Sequence, residues 1–417
     1  MIKFHKWSFG LQSRKSGASS RLVVLDVSRL IWRVWTGRIP TGIDKVCLAY
    51  LTHFGPDSLA MVQRGAFRMV FDAQSSDRLF ALLAAGGTRF RQSLMRWFAR
   101  ALLRHYRGQL CGKIYLNAGH TGLDARGLVT WLQKSGMRPV FLIHDLIPIS
   151  HPQFCRPGEG QRHSRRIKHA LECAAGIIAN SQDTLDALVA FAAVGGHRLD
   201  TIKTTVAWLG SYEPAKPGVE TRASEQPFFL VVGTIEARKN HIVLLRVWHR
   251  LFERLRQNVP RLIVVGQRGW EASDAFALLD EARARSVGVQ ELDQCSNAEL
   301  AVLLRQARAL LMPSFAEGFG LPVVEALQSG LPVIASDLSV FRELFGSIPL
   351  YLDPSDELAW EAAIVDFAAV SDERERQLQA IKAFQVPSWE QHFAKVEALL
   401  EQVADRADQA ISAELKF

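Results

Sequence analysis

Along the chain, short apolar runs alternate with longer stretches in which apolar positions recur at helical spacing. That alternation predicts strands followed by amphipathic helices, an α/β architecture with parallel sheets. In the first half the strand-like runs are Leu22–Val27, Lys113–Leu116, Val140–His144 and Gly176–Asn180; in the second half they are Phe228–Gly233, Leu262–Gly266, Ala309–Met312 and Pro332–Ala335. Helical spacing marks Asp44–Phe54, Gln161–Ala174, Asn240–Arg256, Asn297–Ala307 and Leu321–Gln328. A last helix begins at Trp389 and is carried by Phe393, Val396, Leu399, Leu400 and Val403. Between the two sets, residues 211–227 (SYEPAKPGVETRASEQP) are polar, hold three prolines and read as a linker. Two domains are expected, 1–212 and 213–388, with 389–417 as a closing helix. In open parallel sheets ligands bind beyond the carboxyl ends of the strands, so the cleft between two such domains is the expected site.

Composition and charge narrow the classes. With 48% hydrophobic residues over 417, the chain has material for two cores, yet no apolar run reaches the roughly 20 residues of a membrane span. The first twenty residues are basic and lack the apolar centre of a signal peptide. Five scattered cysteines, never in a Cys-x-x-Cys pair, argue against a disulfide framework or zinc site and for a reducing cytoplasm. Residues 1–210 carry 29 Lys and Arg against 12 Asp and Glu, whereas 211–417 carry 21 against 30. The positive half should attract something anionic. Its most basic stretch, Arg89–Gln109, places Arg89, Arg96, Arg100, Arg104 and Arg107 on one helical stripe and Phe90, Leu94, Trp97, Phe98 and Ala101 on the other. Such a basic amphipathic helix is expected to meet an anionic membrane surface. Arg162, Arg165, Arg166 and Lys168 form a second cluster that reads equally as a helix's outer face. No nucleic-acid recognition motif is present, and no Gly-x-Gly-x-x-Gly follows the first strand.

Four segments sit where a ligand would be held. Pro313–Leu327 (PSFAEGFGLPVVEAL) follows a strand; Gly318 and Gly320 let backbone approach a ligand, and Pro322 opens a helix whose amino terminus favours anions. Glu317 on the turn and Glu325 in the helix are spaced to grip hydroxyls at different points of one extended ligand, or else are solvated carboxylates. Phe229–His241 (FLVVGTIEARKNH) turns at Gly233 and presents Arg238 and Lys239, a possible diphosphate clamp or a solvated basic pair. Val140–Pro152 (VFLIHDLIPISHP) puts His144 at a strand's carboxyl end, where it could donate to developing charge or be a structural histidine. Gly42, before the helix Asp44–Phe54, either allows close backbone approach or makes a turn.

Together, GTIEARKN, VGQRGW (Val265–Trp270) and PSFAEGFGLPVVEAL resemble the donor-binding domain of the retaining glycosyltransferases of the large GT-B family 4. The Glu317-x7-Glu325 pattern is that family's signature, and HDLIPI…HP resembles the subgroup of bacterial O-antigen and exopolysaccharide mannosyltransferases. The resemblance implies a GT-B fold: two Rossmann-like domains whose parallel sheets face a central cleft. It implies that Lys239 with Arg238 neutralises the donor diphosphate. The backbone of Gly318, Phe319, Gly320 and Leu321 would contact phosphate and sugar, with Gly233 at the neighbouring turn. Glu317 would hold sugar hydroxyls, Glu325 the ribose, and His144 would sit over the sugar, while Gly42 lets the first loop reach the diphosphate. Many members carry an Arg where this chain has Thr234. No Asp-x-Asp pair is present, so neither metal nor cofactor is expected, and fixed cations would take the metal's place. The implied activity is hexose transfer with retention, mannose from GDP-mannose, onto a lipid-linked glycan at the cytoplasmic face of the membrane, with no nucleic-acid partner. A nucleotide-sugar epimerase and a non-catalytic glycan- or nucleotide-binding protein are the alternatives on the same scaffold.

Overall fold

The computed structural model describes residues 21–37, 41–87, 89–101, 106, 108–211 and 226–414, the last nine as backbone only. The first twenty residues, Arg104, Arg107, nearly all of the linker and the 212/213 boundary lie outside the described residues. The first half runs β1 (Val23–Asp26), α1 (Ser28–Thr36), α2 (Gly42–Phe54), β2 (Ser58–Arg64), β3 (Phe67–Val70), α3 (Ala73–Ala85), α4 (Phe90–Ala101), β4 (Ile114–Asn117), α5 (Leu128–Ser135), β5 (Arg138–Ile143), α6 (Ile147–Ser150), α7 (Glu159–Cys173), β6 (Gly176–Ala179), α8 (Gln182–Val194) and β7 (Lys203–Val206). The second runs β8 (Phe228–Val232), α9 (His241–Leu255), β9 (Arg261–Val265), α10 (Ser273–Arg285), β10 (Val289–Leu292), α11 (Asn297–Gln306), β11 (Leu310–Met312), α12 (Leu321–Gln328), β12 (Val333–Ser336), α13 (Ser339–Phe345), β13 (Leu350–Leu352), α14 (Glu357–Ala368), α15 (Asp372–Ile381) and α16 (Trp389–Glu414).

Two sheets result, ordered β3-β2-β1-β4-β5-β6-β7 and β10-β9-β8-β11-β12-β13. Every pair is parallel except β2–β3, an antiparallel hairpin turning through Gly65 and Ala66, which departs from the all-parallel expectation at one edge. Central strands such as β4 (IYLN) and β6 (GIIA) are buried throughout because helices cover both faces. The eight strands expected from apolar runs are all present, to within a residue or two at their ends. β3, β7, β10 and β13 escape such a reading because these short strands, FRMV, KTTV, VQEL and LYL, keep partly exposed or polar positions. β2 (SLAMVQR) was missed as well, although it carries the same apolar signal as its neighbours. In both sheets the order reverses about the first strand, so the crevices lie after β1/β4 and after β8/β11.

One expectation is corrected by packing. The apolar stripe of α4 does not face outward: Phe90, Leu94, Trp97 and Ala101 are buried in the domain. The Trp97 indole donates to the Ser75 carbonyl (3.0 Å) and its ring lies 4.8 Å from that of Phe71. A helix attached to a globular domain turns its apolar stripe to the core; Arg89, Arg96 and Arg100 remain outside. The other basic cluster is half neutralised, Arg162 and Arg166 being paired with Asp124 and Glu159.

α16 returns to the first sheet, burying Phe393, Val396, Leu399, Leu400 and Val403. His53 stacks on Phe393 (3.9 Å between centroids) and pairs with Glu397, while the Tyr50 hydroxyl donates to His392 Nε2 at 2.9 Å. The other ring nitrogen of His392 lies against the carbonyls of Ala207 and Trp208, so Nδ1 carries the proton.

Candidate active site

The second domain supplies the charged floor of the cleft. Gly233 ends β8 with φ +146°, a conformation open to glycine, and a Cβ there would lie 3.5 Å from the Lys239 side chain. The following turn, Ala237–Lys239, presents Arg238 and Lys239, and the Phe315 amide donates to the Arg238 carbonyl (2.9 Å), tying this turn to the loop after β11. Glu317 on that loop, its side chain 7% exposed, receives Arg238 on Oε2 (2.9 Å) and Lys239 and Ser314 on Oε1 (2.5 and 2.7 Å). Burial alone would raise the Glu317 pKa, but the two cations outweigh it and bring the carboxyl down to about 2. Burial likewise opposes the Arg238 charge, and Glu317 and Glu236 more than restore it. Arg238 also bonds Glu236 (2.7 Å) and the Ala316 carbonyl (2.6 Å), so its plane is fixed. No cation stands at Thr234, whose methyl fills the space beside Gly269. Arg268 is taken by Asp280 and Glu291.

After Glu317 the chain turns at Gly318 and Gly320 into α12, with Pro322 in the first turn. Gly320 has φ +95°, and a Cβ would lie 2.6 Å from the Phe341 ring. At Gly318 a Cβ would lie 2.5 Å from the His144 carbonyl of the other domain. Phe319 is buried in the core, so its backbone alone can face a ligand. Leu321 meets the first domain at Gly42, 3.4 Å from where a Gly42 Cβ would stand, which brings the amino termini of α2 and α12 together. Glu325 lies on α12 and accepts from Lys45 of α2 at 2.7 Å. The two glutamates of the motif are thus held by different domains.

His144 follows β5 directly and is 4% exposed. Its Nε2 lies 2.7 Å from the Ala118 carbonyl. A carbonyl only accepts, so Nε2–H donates, and burial pushes the ring's pKa down to about 4 and keeps it neutral. Nδ1 is therefore a lone-pair acceptor.

Several site residues had escaped the sequence. His120 after β4 and His163 on α7 surround His144, with ring centroids 5.1 Å (His120–His144) and 5.6 Å (His120–His163) apart. They bond the Leu142 and Asp145 carbonyls in the same way. His120 lies in the loop three residues beyond β4, so its place after a strand's carboxyl end could have found it; His163, inside a helix, has no such signal. Ser314, Glu236 and Lys45 become visible only through their partners. On the first domain, Asp44, 1% exposed, takes both Arg29 (2.7 Å) and Arg33 (2.9 Å), and a Cβ at Gly119 would strike Arg29.

The domains are joined around this cleft. Glu343 of α13 caps the amino terminus of α8 through the amides of Gln182 and Asp183 (2.8 and 3.0 Å), and Phe154 stacks on Phe315 (4.7 Å, 5°). Fixed cations and two adjacent helix amino termini suit a polyanion such as a diphosphate, and neighbouring carboxylates and a neutral imidazole suit hydroxyls.

Comparison with known proteins agrees with this geometry. Residues 213–383 match the model for glycosyl transferases group 1. O-antigen chain mannosyltransferase B of Escherichia coli is 31% identical over 264 residues, 61% of this chain and 67% of that protein. The serotype-specific mannosyltransferase WbdA of E. coli is 26% identical over 257 residues, 58% of this chain but 31% of WbdA, so the match spans less than a third of that relative. Among solved structures, HepE of Anabaena in complex with UDP-glucose aligns with a TM-score of 0.62 at 14% identity, over 93% of this chain and 99% of HepE. Sucrose-phosphate synthase of Thermosynechococcus elongatus aligns at 0.54 and 17%, over 94% and 99%. The chain belongs to the glycosyl transferases group 1 family, as a glycosyltransferase of GT-B fold.

Proposed function

We propose that the protein is a mannosyltransferase that moves mannose from GDP-mannose, with retention and without a metal, onto a lipid-linked oligosaccharide or polysaccharide at the cytoplasmic face of a membrane. The observation that carries the reading is the pair Arg238 and Lys239, gathered on Glu317 opposite the amino termini of α2 and α12. The relatives named as mannosyltransferases, one of them of the O-antigen chain, support mannose and a surface-glycan acceptor.

In this reading the donor diphosphate replaces Glu317 as the main partner of Arg238 and Lys239. Charge developing on the leaving phosphate then meets cations already in position, so little reorganisation is needed in the transition state. Glu317 has lone pairs left for sugar hydroxyls, and Nδ1 of neutral His144 accepts another. Glu325 binds the ribose once Lys45 yields. No carboxylate is assigned as a covalent nucleophile; the acceptor oxygen bonds to the anomeric carbon on the face from which the diphosphate leaves, the bond from that carbon to the phosphate oxygen breaks, and the hydroxyl proton passes to the departing diphosphate. The anomer formed, read by NMR, checks this: an inverted product ends the retaining mechanism.

The first experiment is thermal stabilisation by GDP, UDP, ADP and TDP, with Lys239→Ala as control. A ligand at about 100 times its Kd adds about 2.7 kcal/mol, visible as a shift in melting temperature. Selective stabilisation by GDP, lost in the variant, is expected; selectivity for UDP would move the donor to a UDP-sugar. Turnover of a free nucleotide sugar without acceptor would make the protein an epimerase. Stabilisation by none of them would leave a glycan-binding protein.

A further inference from the structure

We propose that one face of the first domain, formed by α1, the β2–β3 hairpin and α4, is a docking surface for an anionic lipid bilayer. The proposal rests on the lipid-linked acceptor and names the surface that would bring the enzyme to it. It is a different face from the apolar stripe of α4, which is buried.

The face is traced by a closed circuit of contacts. Trp32 on α1 is 51% exposed, and the Arg64 guanidinium lies over its ring at 5.1 Å. Arg64 stands directly opposite Phe67 across the hairpin, so both side chains leave the same side of the sheet. Phe67 is exposed, and its ring centroid lies 6.1 Å from that of Phe98 on α4. One turn back along α4 is Met95, 60% exposed, and two turns back is Arg91, whose guanidinium lies 5.7 Å over the Trp35 ring and donates to the Trp35 carbonyl (2.7 Å). Trp35 is one turn from Trp32, which closes the ring.

Charge selects the occupant. Residues 58–110 contain nine arginines and two acidic residues. One of those, Asp72, caps α3, and the other, Asp77, is paired with Arg21. Among the described residues, no carboxylate lies within ion-pair distance of Arg64, Arg89, Arg91, Arg96 or Arg100, in contrast to Arg162 and Arg166 on α7. Exposed Trp, Met and Phe among uncompensated arginines suit the interface of a bilayer, where rings enter the headgroup layer and guanidinium groups meet phosphate.

The test is flotation of the full chain with vesicles of phosphatidylcholine containing about a third phosphatidylglycerol, and with phosphatidylcholine alone. Wild type is expected to bind only the anionic vesicles and to be released by salt. Arg64→Glu/Arg91→Glu is expected to lower binding about tenfold or more, and Trp32→Ser to weaken it with the charge intact. Arg165→Glu/Lys168→Glu, with the same charge change on α7, is expected to bind within about twofold of wild type. Equal losses in both double variants, or none in either, overturn the proposal, as does release of wild type by soluble glycan, which would make this a sugar-binding face. Transfer to a lipid-free glycan acceptor is expected to be unchanged in Arg64→Glu/Arg91→Glu. Vesicle binding that follows these variants while no nucleotide sugar supports transfer would defeat the proposed reaction and leave the docking face standing.

Discussion

Gly318 has no room for a side chain, because a Cβ would press on the His144 carbonyl at 2.5 Å, and that carbonyl belongs to the other domain. Gly318→Ala should therefore leave each domain intact but wedge the cleft. The expectation is a normal melting temperature with kcat/KM lowered by about tenfold or more, since a displacement near 1 Å at the chemistry can cost about a hundredfold. Gly320→Ala differs: positive φ and the Phe341 ring both oppose it, and about 1–3 kcal/mol should be lost in urea unfolding. Glu317 is the buried counter-ion of two partly buried cations, so Glu317→Gln should lower stability by up to about 3–5 kcal/mol. Nucleoside diphosphate should then raise the melting temperature more in this variant than in wild type, because the cations have lost their internal partner. An equal or smaller rise would mean that the diphosphate does not meet Arg238 and Lys239. Glu317, Arg238, Lys239 and Glu325 were all legible from the motif. Their mutual pairing was not, because Glu317 and Lys239 lie 78 positions apart and Lys45 and Glu325 lie 280 apart.

At the scale of elements, the loops after β4 and β5 are pinned by neutral imidazoles: His144 to Ala118, His120 to Leu142, His163 to Asp145. Asp145, Glu159, Arg29 and Arg166 bear on this cluster, and burial is the leading cause holding all three histidines below their ordinary range. On acidification the unfolded chain takes up protons first, near 6.5 for a free imidazole, whereas folded His144 waits until about 4. The contribution is therefore complete above pH 6.5 and is lost as pH falls toward 4. The melting temperature should drop across that window, and His144→Gln, which keeps a donor for Ala118 but cannot titrate, should flatten part of it. A pH-independent melting temperature between 7 and 4.5 would contradict neutral, buried rings. Elements were read well where burial is complete on both faces, as in β5 and β6, and poorly at edges such as β7, whose residues are half solvated. The amphipathic pattern of α4 showed that one stripe would be covered, and tertiary packing determined that the domain itself covers it.

In the whole molecule, α16 spans the architecture: it follows the second domain in sequence and packs on the first. Its anchor is Phe393, stacked on His53 and edge-on to Tyr50. Phe393→Ala should cost about 3–5 kcal/mol, seen as earlier unfolding of the first domain by hydrogen exchange at α2 and β7. The sequence by itself determined the α/β alternation, the two halves of opposite charge, the Glu317-x7-Glu325 motif and the presence of a closing helix. Those are properties of local periodicity, turn chemistry and composition, which act over a few residues or sum over many. Tertiary structure alone decided which domain grips each glutamate, which tryptophans are buried and which exposed, and which arginines are neutralised. Such outcomes depend on desolvation and on partners brought within a few ångströms from distant positions, and no local pattern records them.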